Sequence, residues 1–170
     1  MTTTLDLTDT IPWDAAGWRV APATYPSELT ADGVRGLFYD GLPFQGRPTR
    51  VFAWLGVPAG DGPWPGMVLV HGGGGTAFAE WVRLWTGRGY AAIAMDLDGC
   101  VPVGEYGAWT PHAHPGPLGL LHDLHGGIDE GHLPILDQWP FHGVAAVLRG
   151  HALLRAQPGV DASRIGLTGK

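Results

Sequence analysis

Cysteine occurs once in the 170 residues, at Cys100, which excludes an internal disulfide framework and a multi-cysteine zinc site. Lysine also occurs once, as Lys170, and the chain carries a formal charge of -6. Its few arginines are scattered, so the sequence offers no basic groove for nucleic acid and no patch for an anionic membrane. Charged residues make up only 15% against 45% hydrophobic, a balance that excludes a disordered chain. No apolar run is long: residues 67–70 and 90–95 fall far short of the roughly 20 residues of a membrane span. The first residues show neither the basic nor the apolar part of a secretory signal, so a cytoplasmic location is expected. Serine is scarce, with Ser27 and Ser163 alone. Glycine (28) and proline (15) are abundant, which assigns much of the chain to turns and loops. The length suits one domain around one core.

Residues 1–30 carry Pro12, Trp13, Pro22 and Pro26 without sustained periodicity, and read as an amino-terminal arm. The domain is expected over residues 31–170. Residues 34–39 and 49–55 are β-rich runs parted by turn residues, which predicts two adjacent antiparallel strands. Gly66-Met67-Val68-Leu69-Val70 is a continuous apolar run, the mark of a strand buried on both faces. Beyond the glycines that follow, Phe78, Trp81, Val82 and Trp85 fall at helical spacing, with Thr76 as the expected cap. Residues 90–95 form a second buried strand, closed by Asp96-Leu97-Asp98-Gly99. Strand, helix and strand within about 30 residues is a right-handed βαβ unit with parallel strands.

Residues 101–137 hold His112, His114, His122, His125 and His132 and no clean period, and read as a loop or insertion. A helix with Pro140 in its first turn runs to about Ala156 and is expected to turn Val144, Val147, Leu148 and Leu154 to the sheet. Asp161-Ala162-Ser163 is a turn, and Arg164-Ile165-Gly166-Leu167-Thr168 opens a third buried strand. No helix follows to cover it. An uncovered apolar strand templates pairing with another copy, so self-association through this edge is expected, with a poorly stable isolated chain. The fold class is α/β, an antiparallel strand pair leading into a parallel sheet with flanking helices in three layers.

His71-Gly72-Gly73-Gly74-Gly75 lies where the buried strand meets the helix, and three readings stand. One is a flexible turn, although four glycines exceed what a turn requires. The second is a dinucleotide fingerprint: Gly72-x-Gly74-x-x-Ala77 fits G-x-G-x-x-G/A, with Asp96 where a ribose-binding acid belongs. Against it, two β-rich runs precede the motif, whereas a Rossmann domain opens on the glycine strand. The third is an oxyanion hole, the backbone N–H groups of Gly73 and Gly74 facing a developing negative charge. His71 then orders the loop rather than acting as a base.

Other chemistry reads more weakly. A phosphate-binding loop ending in Gly169-Lys170 needs a glycine where Arg164 stands. Cys100 lacks the setting of a nucleophile and reads as a buried or loop cysteine. His112-Ala-His114 and His122-Asp-Leu-His125, with Asp123 and His132, have chelating spacings but no regular element to hold them, and no metal is expected. Trp109, within the insertion, is assigned to substrate contact.

The stretch from His71 to Phe78, the paired β-runs before it and Asp96-Leu97-Asp98-Gly99 after it resemble the α/β-hydrolase superfamily, in particular its acetylxylan-esterase, dienelactone-hydrolase and prolyl-oligopeptidase-like branches. Val160 to Gly169 resembles the segment that runs into the G-x-S-x-G nucleophile elbow of those enzymes. The resemblance covers residues 31–169. It implies the amino-terminal part of an incomplete α/β-hydrolase fold, from a serine hydrolase that acts on small-molecule or carbohydrate esters by acyl transfer, without a cofactor. Gly73 and Gly74 would supply one N–H of the oxyanion hole, and Gly169 would be the first glycine of the elbow. Neither Ser27 nor Ser163 lies in an elbow, and the family's acid and histidine follow the nucleophile in chain order. All three would therefore lie beyond Lys170, and this chain alone is expected to be inactive. Two alternatives remain: an NAD(P)-binding oxidoreductase fragment using Gly72, Gly74 and Asp96, and a non-enzymatic binding domain.

Overall fold

The computed structural model of the chain describes residues 16–117 and 132–169. Its sheet contains β1 (Thr24–Ala31), β2 (Val34–Asp40), β3 (Arg50–Gly56), β4 (Trp64–Val70), β5 (Ala91–Met95) and β8 (Val160–Gly169). Their spatial order is β1-β2-β3-β5-β4-β8. β1, β2 and β3 are antiparallel neighbours, β3 is antiparallel to β5, and β5, β4 and β8 are parallel. Helix α1 (Ala79–Thr86) joins β4 to β5, and α2 (Trp139–Arg155) precedes β8. Between β5 and α2 stands a two-stranded ribbon, β6 (Cys100–Glu105) and β7 (Ala108–Pro111). Among the described residues no helix is long and apolar enough to cross a membrane.

The three layers follow from strand alternation. In β3, Phe52 and Trp54 join the cluster that contains Val82 of α1, while Ala53 and Leu55 join the one that contains Leu153 and Leu154 of α2. In β5, Ala92 and Ala94 take the first face and Ala91, Ile93 and Met95 the second. A strand whose two faces are both covered must be apolar throughout, and every residue of β5 is buried.

Several expectations need correction. The arm of residues 1–30 ends in β1, where Tyr25, Ser27, Leu29 and Ala31 are half-buried and the residues between them exposed. Pro26 and the polar residues concealed that alternation, and proline is tolerated because β1 is an edge strand. Thr76 does not cap α1, which starts at Ala79 without a side-chain cap. The turn at residues 161–163 lies inside β8 as an irregularity: Trp64 pairs with Val160 but Gly66 with Ile165. β8 itself is mostly exposed. The insertion contains the β6–β7 hairpin, and its His122, Asp123 and His125 lie outside the described residues.

Of the four residues of α2 expected to face the sheet, Leu154 is buried in the core beneath it and Val147 packs half-buried against that core, whereas Val144 is 48% exposed. Small residues make the tightest part of the contact. Ala145, Ala146 and Gly150 are buried, and the Tyr39 hydroxyl donates to the Ala146 carbonyl at 2.8 Å. A Cβ on Gly150 would lie 2.6 Å from Met95 Cε and 3.1 Å from the Tyr39 oxygen. Substituting Gly150 by Val should therefore cost about 1–3 kcal/mol through overpacking. Gly143, with open space around its Cα, is the control: Gly143→Ala should gain up to about 1 kcal/mol from helix propensity alone. Denaturant midpoints at constant m-value decide both.

Among the described residues the outer edge of β8 has no partner strand. Leu167 is 61% exposed there, and it lines an apolar groove with Trp139, Val144, Val147 and Leu148. Self-association through this edge should be concentration-dependent in light scattering, and Leu167→Lys should shift the chain to monomer by placing a charge on the pairing face. An unchanged mass distribution in that variant would place any self-association elsewhere.

Candidate active site

The chain leaves β4 over one face of the sheet, through α1, and reaches β8 over the other, through α2. Loops diverge in this way at the carboxyl end of β4, and open α/β sheets bind ligands at such points. His71 and the four glycines occupy that end. A turn closes where Gly75 N–H donates to the Gly72 carbonyl at 3.0 Å, and Gly74, its third residue, has φ +81°. This is the type II form, which requires glycine at that position.

Two buried side chains bind this turn to the end of β5. His71 Nε2 accepts from Leu97 N–H at 2.9 Å, so that nitrogen carries no proton. Nδ1 is then the protonated nitrogen and donates to the Gly72 carbonyl at 2.9 Å. Asp96 Oδ2 lies 3.9 Å from Nε2, a proximity without a shared proton rather than an ion pair. The Asp96 carboxyl instead accepts from Cys100 N–H at 2.7 Å, Asp98 N–H at 2.9 Å and the Thr76 hydroxyl at 3.0 Å. It is 3% exposed and faces its own loop, which is not the setting of a ribose ligand.

Burial pushes the Asp96 carboxyl up to about 6, against the lowering effect of the Cys100 N–H. Burial, with Asp96 and Asp98 beside it, pushes the Cys100 thiol up to about 12, so no thiolate nucleophile forms there. Burial also lowers His112, to about 4, with His114 and Arg50 adding to the effect. Its Nδ1 accepts from His114 N–H at 3.2 Å, and its ring packs edge-on against Phe38. Among the described residues no group of acids, histidines and cysteine could hold a metal.

The carbonyls of the first three residues of the turn are engaged. Gly72 accepts from His71 and Gly75, Gly73 from the Tyr106 hydroxyl at 3.1 Å, and Gly74 from Trp109 Nε1 at 3.0 Å and Gly107 N–H at 3.1 Å. The amides of Gly73 and Gly74 have no acceptor among the described residues. Gly74 is buried, and a buried amide without a partner is rare enough to require an explanation. Beside the turn lies a cleft of about 360 Å³ lined by Gly72, Gly73, Gly75, Phe78, Trp81 and Tyr106.

Trp109, assigned to substrate contact from sequence, thus gives its indole N–H to the turn and sets its ring edge-on to Phe78. Tyr106 was missed. Its signal was the pair Gly104 and Gly107, both with positive φ, which flank it and close the ribbon. Gly169 pairs with Val70 across the parallel strands, and a Cβ on it would lie 2.9 Å from the Val70 carbonyl oxygen. Ser163, bonded to Asp161 Oδ1 at 2.6 Å, and Ser27, which accepts from Leu29 N–H within β1, make only local hydrogen bonds.

A mixed sheet with helices on both faces, parallel order β5-β4-β8 and a glycine turn at the end of β4 matches part of an α/β-hydrolase-like fold. The chain is similar to an acetyl xylan esterase from Paenibacillus sp. R4, with 22% identity and a TM-score of 0.67 over 99% of this chain and 53% of that one. It is also similar to acetyl xylan esterase 1 from Thermoanaerobacterium sp. JW/SL YS485, with 19% identity and a TM-score of 0.60 over 88% of this chain and 45% of that one. The chain thus spans about half the length of these structures. No family model matches the sequence, and no curated protein matches it significantly.

Because Asp96 titrates near 3.8 when unfolded and near 6 when folded, the folded state holds the proton more tightly. Its contribution is full below the unfolded value and lost as pH rises through the folded one. Asn in its place keeps the acceptor for both backbone amides and can donate to Thr76, but cannot titrate. From about pH 3 to about pH 7, the stability difference should move by about 2–3 kcal/mol in favour of Asp96→Asn. Urea melts of both proteins across that range are the measurement, and a constant difference would show that the carboxyl is not perturbed.

Proposed function

We propose that this chain is the oxyanion-binding half of a serine-type hydrolase of carboxylic esters, of the acetylxylan-esterase kind. The supporting observation is the pairing of Val70 with Gly169 at the carboxyl ends of two parallel strands. Neighbouring strands lie about 4.8 Å apart, so a continuation from Gly169 would start beside the strand end that leads into the Gly72–Gly75 turn. In this reading the residue after Lys170 is the nucleophilic serine, and its acid and histidine partners follow it.

Acyl transfer places negative charge on the former carbonyl oxygen of the ester. Amides already aimed at that oxygen stabilise it without reorganising. Among the described residues the N–H groups of Gly73 and Gly74 have no acceptor, and one of them would act with the amide after the serine. His71, Trp109 and Gly107 hold the turn from behind. The cleft beside it, walled by Phe78, Trp81 and Tyr106, would take the small-molecule or carbohydrate part of the ester. No cofactor enters the reaction.

Gly73 is the second residue of a type II turn, where proline is favoured. Gly73→Pro therefore removes one amide while retaining the turn. The chain alone should hydrolyse p-nitrophenyl acetate at background rate, and a protein continuing through the elbow should hydrolyse it readily. If Gly73 is the donor, the substitution in the longer protein should lower kcat by about 10²–10³-fold. Should Gly73→Pro leave kcat intact, Gly74 would be left as the donor; burst kinetics in the chain alone would place the nucleophile within it and overturn the assignment.

A further inference from the structure

We propose that Tyr106 is a positioning residue: its hydroxyl holds the peptide between Gly73 and Gly74 against a flip and so sets the direction of the Gly74 amide. Only the purpose of that amide rests on the oxyanion reading. A peptide unit is planar, and the bonds of this turn are trans, so each carbonyl points opposite to the N–H of the next residue. A donor that captures the Gly73 carbonyl therefore aims the Gly74 N–H. Likewise His71 and Gly75, through the Gly72 carbonyl, aim the Gly73 N–H.

The two cases differ in security. The Gly72 carbonyl closes the turn, and its bond to Gly75 survives in either turn form. The central peptide is the one that reverses between type I and type II turns. With glycine on both sides of it, little steric resistance opposes the reversal. Nothing within the turn holds that peptide. The Tyr106 hydroxyl, 3.1 Å from the Gly73 carbonyl oxygen, is the donor that does. Tyr106 stands at the tip of the β6–β7 ribbon, which is fastened to the same turn through Gly107 N–H and Trp109 Nε1 at the Gly74 carbonyl. Its ring covers Gly74 so closely that a Cβ there would lie 2.8 Å from Tyr106 Cε1. A side chain in a tight core would be explained by packing, but Tyr106 is 72% exposed.

The test is nuclear magnetic resonance of the ¹⁵N-labelled chain, with acetate as the anionic probe. In the native chain the Gly73 Hα should show a strong Overhauser contact to the Gly74 amide; a strong contact between the two amides instead would mean the opposite peptide orientation and overturn the proposal. In Tyr106→Phe the Gly74 order parameter should fall from about 0.85 to below about 0.6, while Gly75 keeps its value. In Trp109→Phe it should not fall, because Gly107 still holds the Gly74 carbonyl and Tyr106 the Gly73 carbonyl. Acetate should shift the Gly73 and Gly74 amides saturably in the native chain, and in Tyr106→Phe the Gly74 response should drop several-fold with that of Gly73 retained. An ordered, fully responsive Gly74 in Tyr106→Phe overturns the proposal, as does loss of the β6–β7 cross-strand contacts, which would show that the hydroxyl serves the ribbon. If Tyr106→Phe disorders Gly74 but acetate moves neither amide in the native chain, the positioning role stands and the oxyanion reading falls.

Discussion

Two parallel strands that end side by side must satisfy the polar backbone they release there, and in this chain β4 and β5 do so through two buried side chains. His71 joins Leu97 N–H to the Gly72 carbonyl, and Asp96 gathers Cys100 N–H, Asp98 N–H and the Thr76 hydroxyl. Leaving any one of these buried groups unpaired would cost about 1–3 kcal/mol. The glycine turn has no side chains of its own to pack, so its shape is inherited from this arrangement. The carboxyl of Asp96 illustrates the balance. Burial raises it to about 6, outweighing the backbone N–H groups of Cys100 and Asp98 that favour its charge.

From that anchorage follows an asymmetry within the turn. The Gly72 carbonyl is taken by Gly75 and His71, and the carbonyls of Gly73 and Gly74 by donors from the β6–β7 ribbon, while the amides of Gly73 and Gly74 have no acceptor among the described residues. Two backbone N–H dipoles thus stand without an acceptor among the described residues, in a chain of net charge -6. Backbone dipoles held in this way need no reorganisation when a negative charge develops beside them. Gly169 at the end of β8 adds the second requirement of the proposed chemistry, since it ends level with Val70, directly before the turn.

Local patterns made much of the fold legible. The continuous apolar runs of β4 and β5 needed no context, because burial on both faces leaves no choice of residue. The helical spacing around Val82 and the proline in the first turn of α2 located both helices. β1 was lost because an edge strand buries one face only, and its Pro26 and polar residues read as arm. For α2 the expectation held at Leu154 and Val147 but missed at Val144, because the tight contact is made by Ala146 and Gly150, small residues that a reading by hydrophobicity overlooks. At the site, His71 and the glycines were evident from their place between strand and helix. The tie from Thr76 to Asp96 joins residues 20 positions apart, and no local pattern reports such a partner.

The amino-acid sequence by itself determined the α/β class, the strand–glycine–helix junction and the fact that neither Ser27 nor Ser163 lies in a G-x-S-x-G motif. Each of these depends on residue type and near-neighbour spacing, which govern backbone preference and burial directly. Only the tertiary structure decided which peptide groups of the turn are free. That outcome depends on Tyr106 and Trp109 arriving from a ribbon 33 and 35 residues downstream. A hydrogen bond across that distance exists only once the sheet has brought the ends of β4 and β5 together, and glycine, having no side chain, carries no trace in the sequence of the direction in which its amide will point.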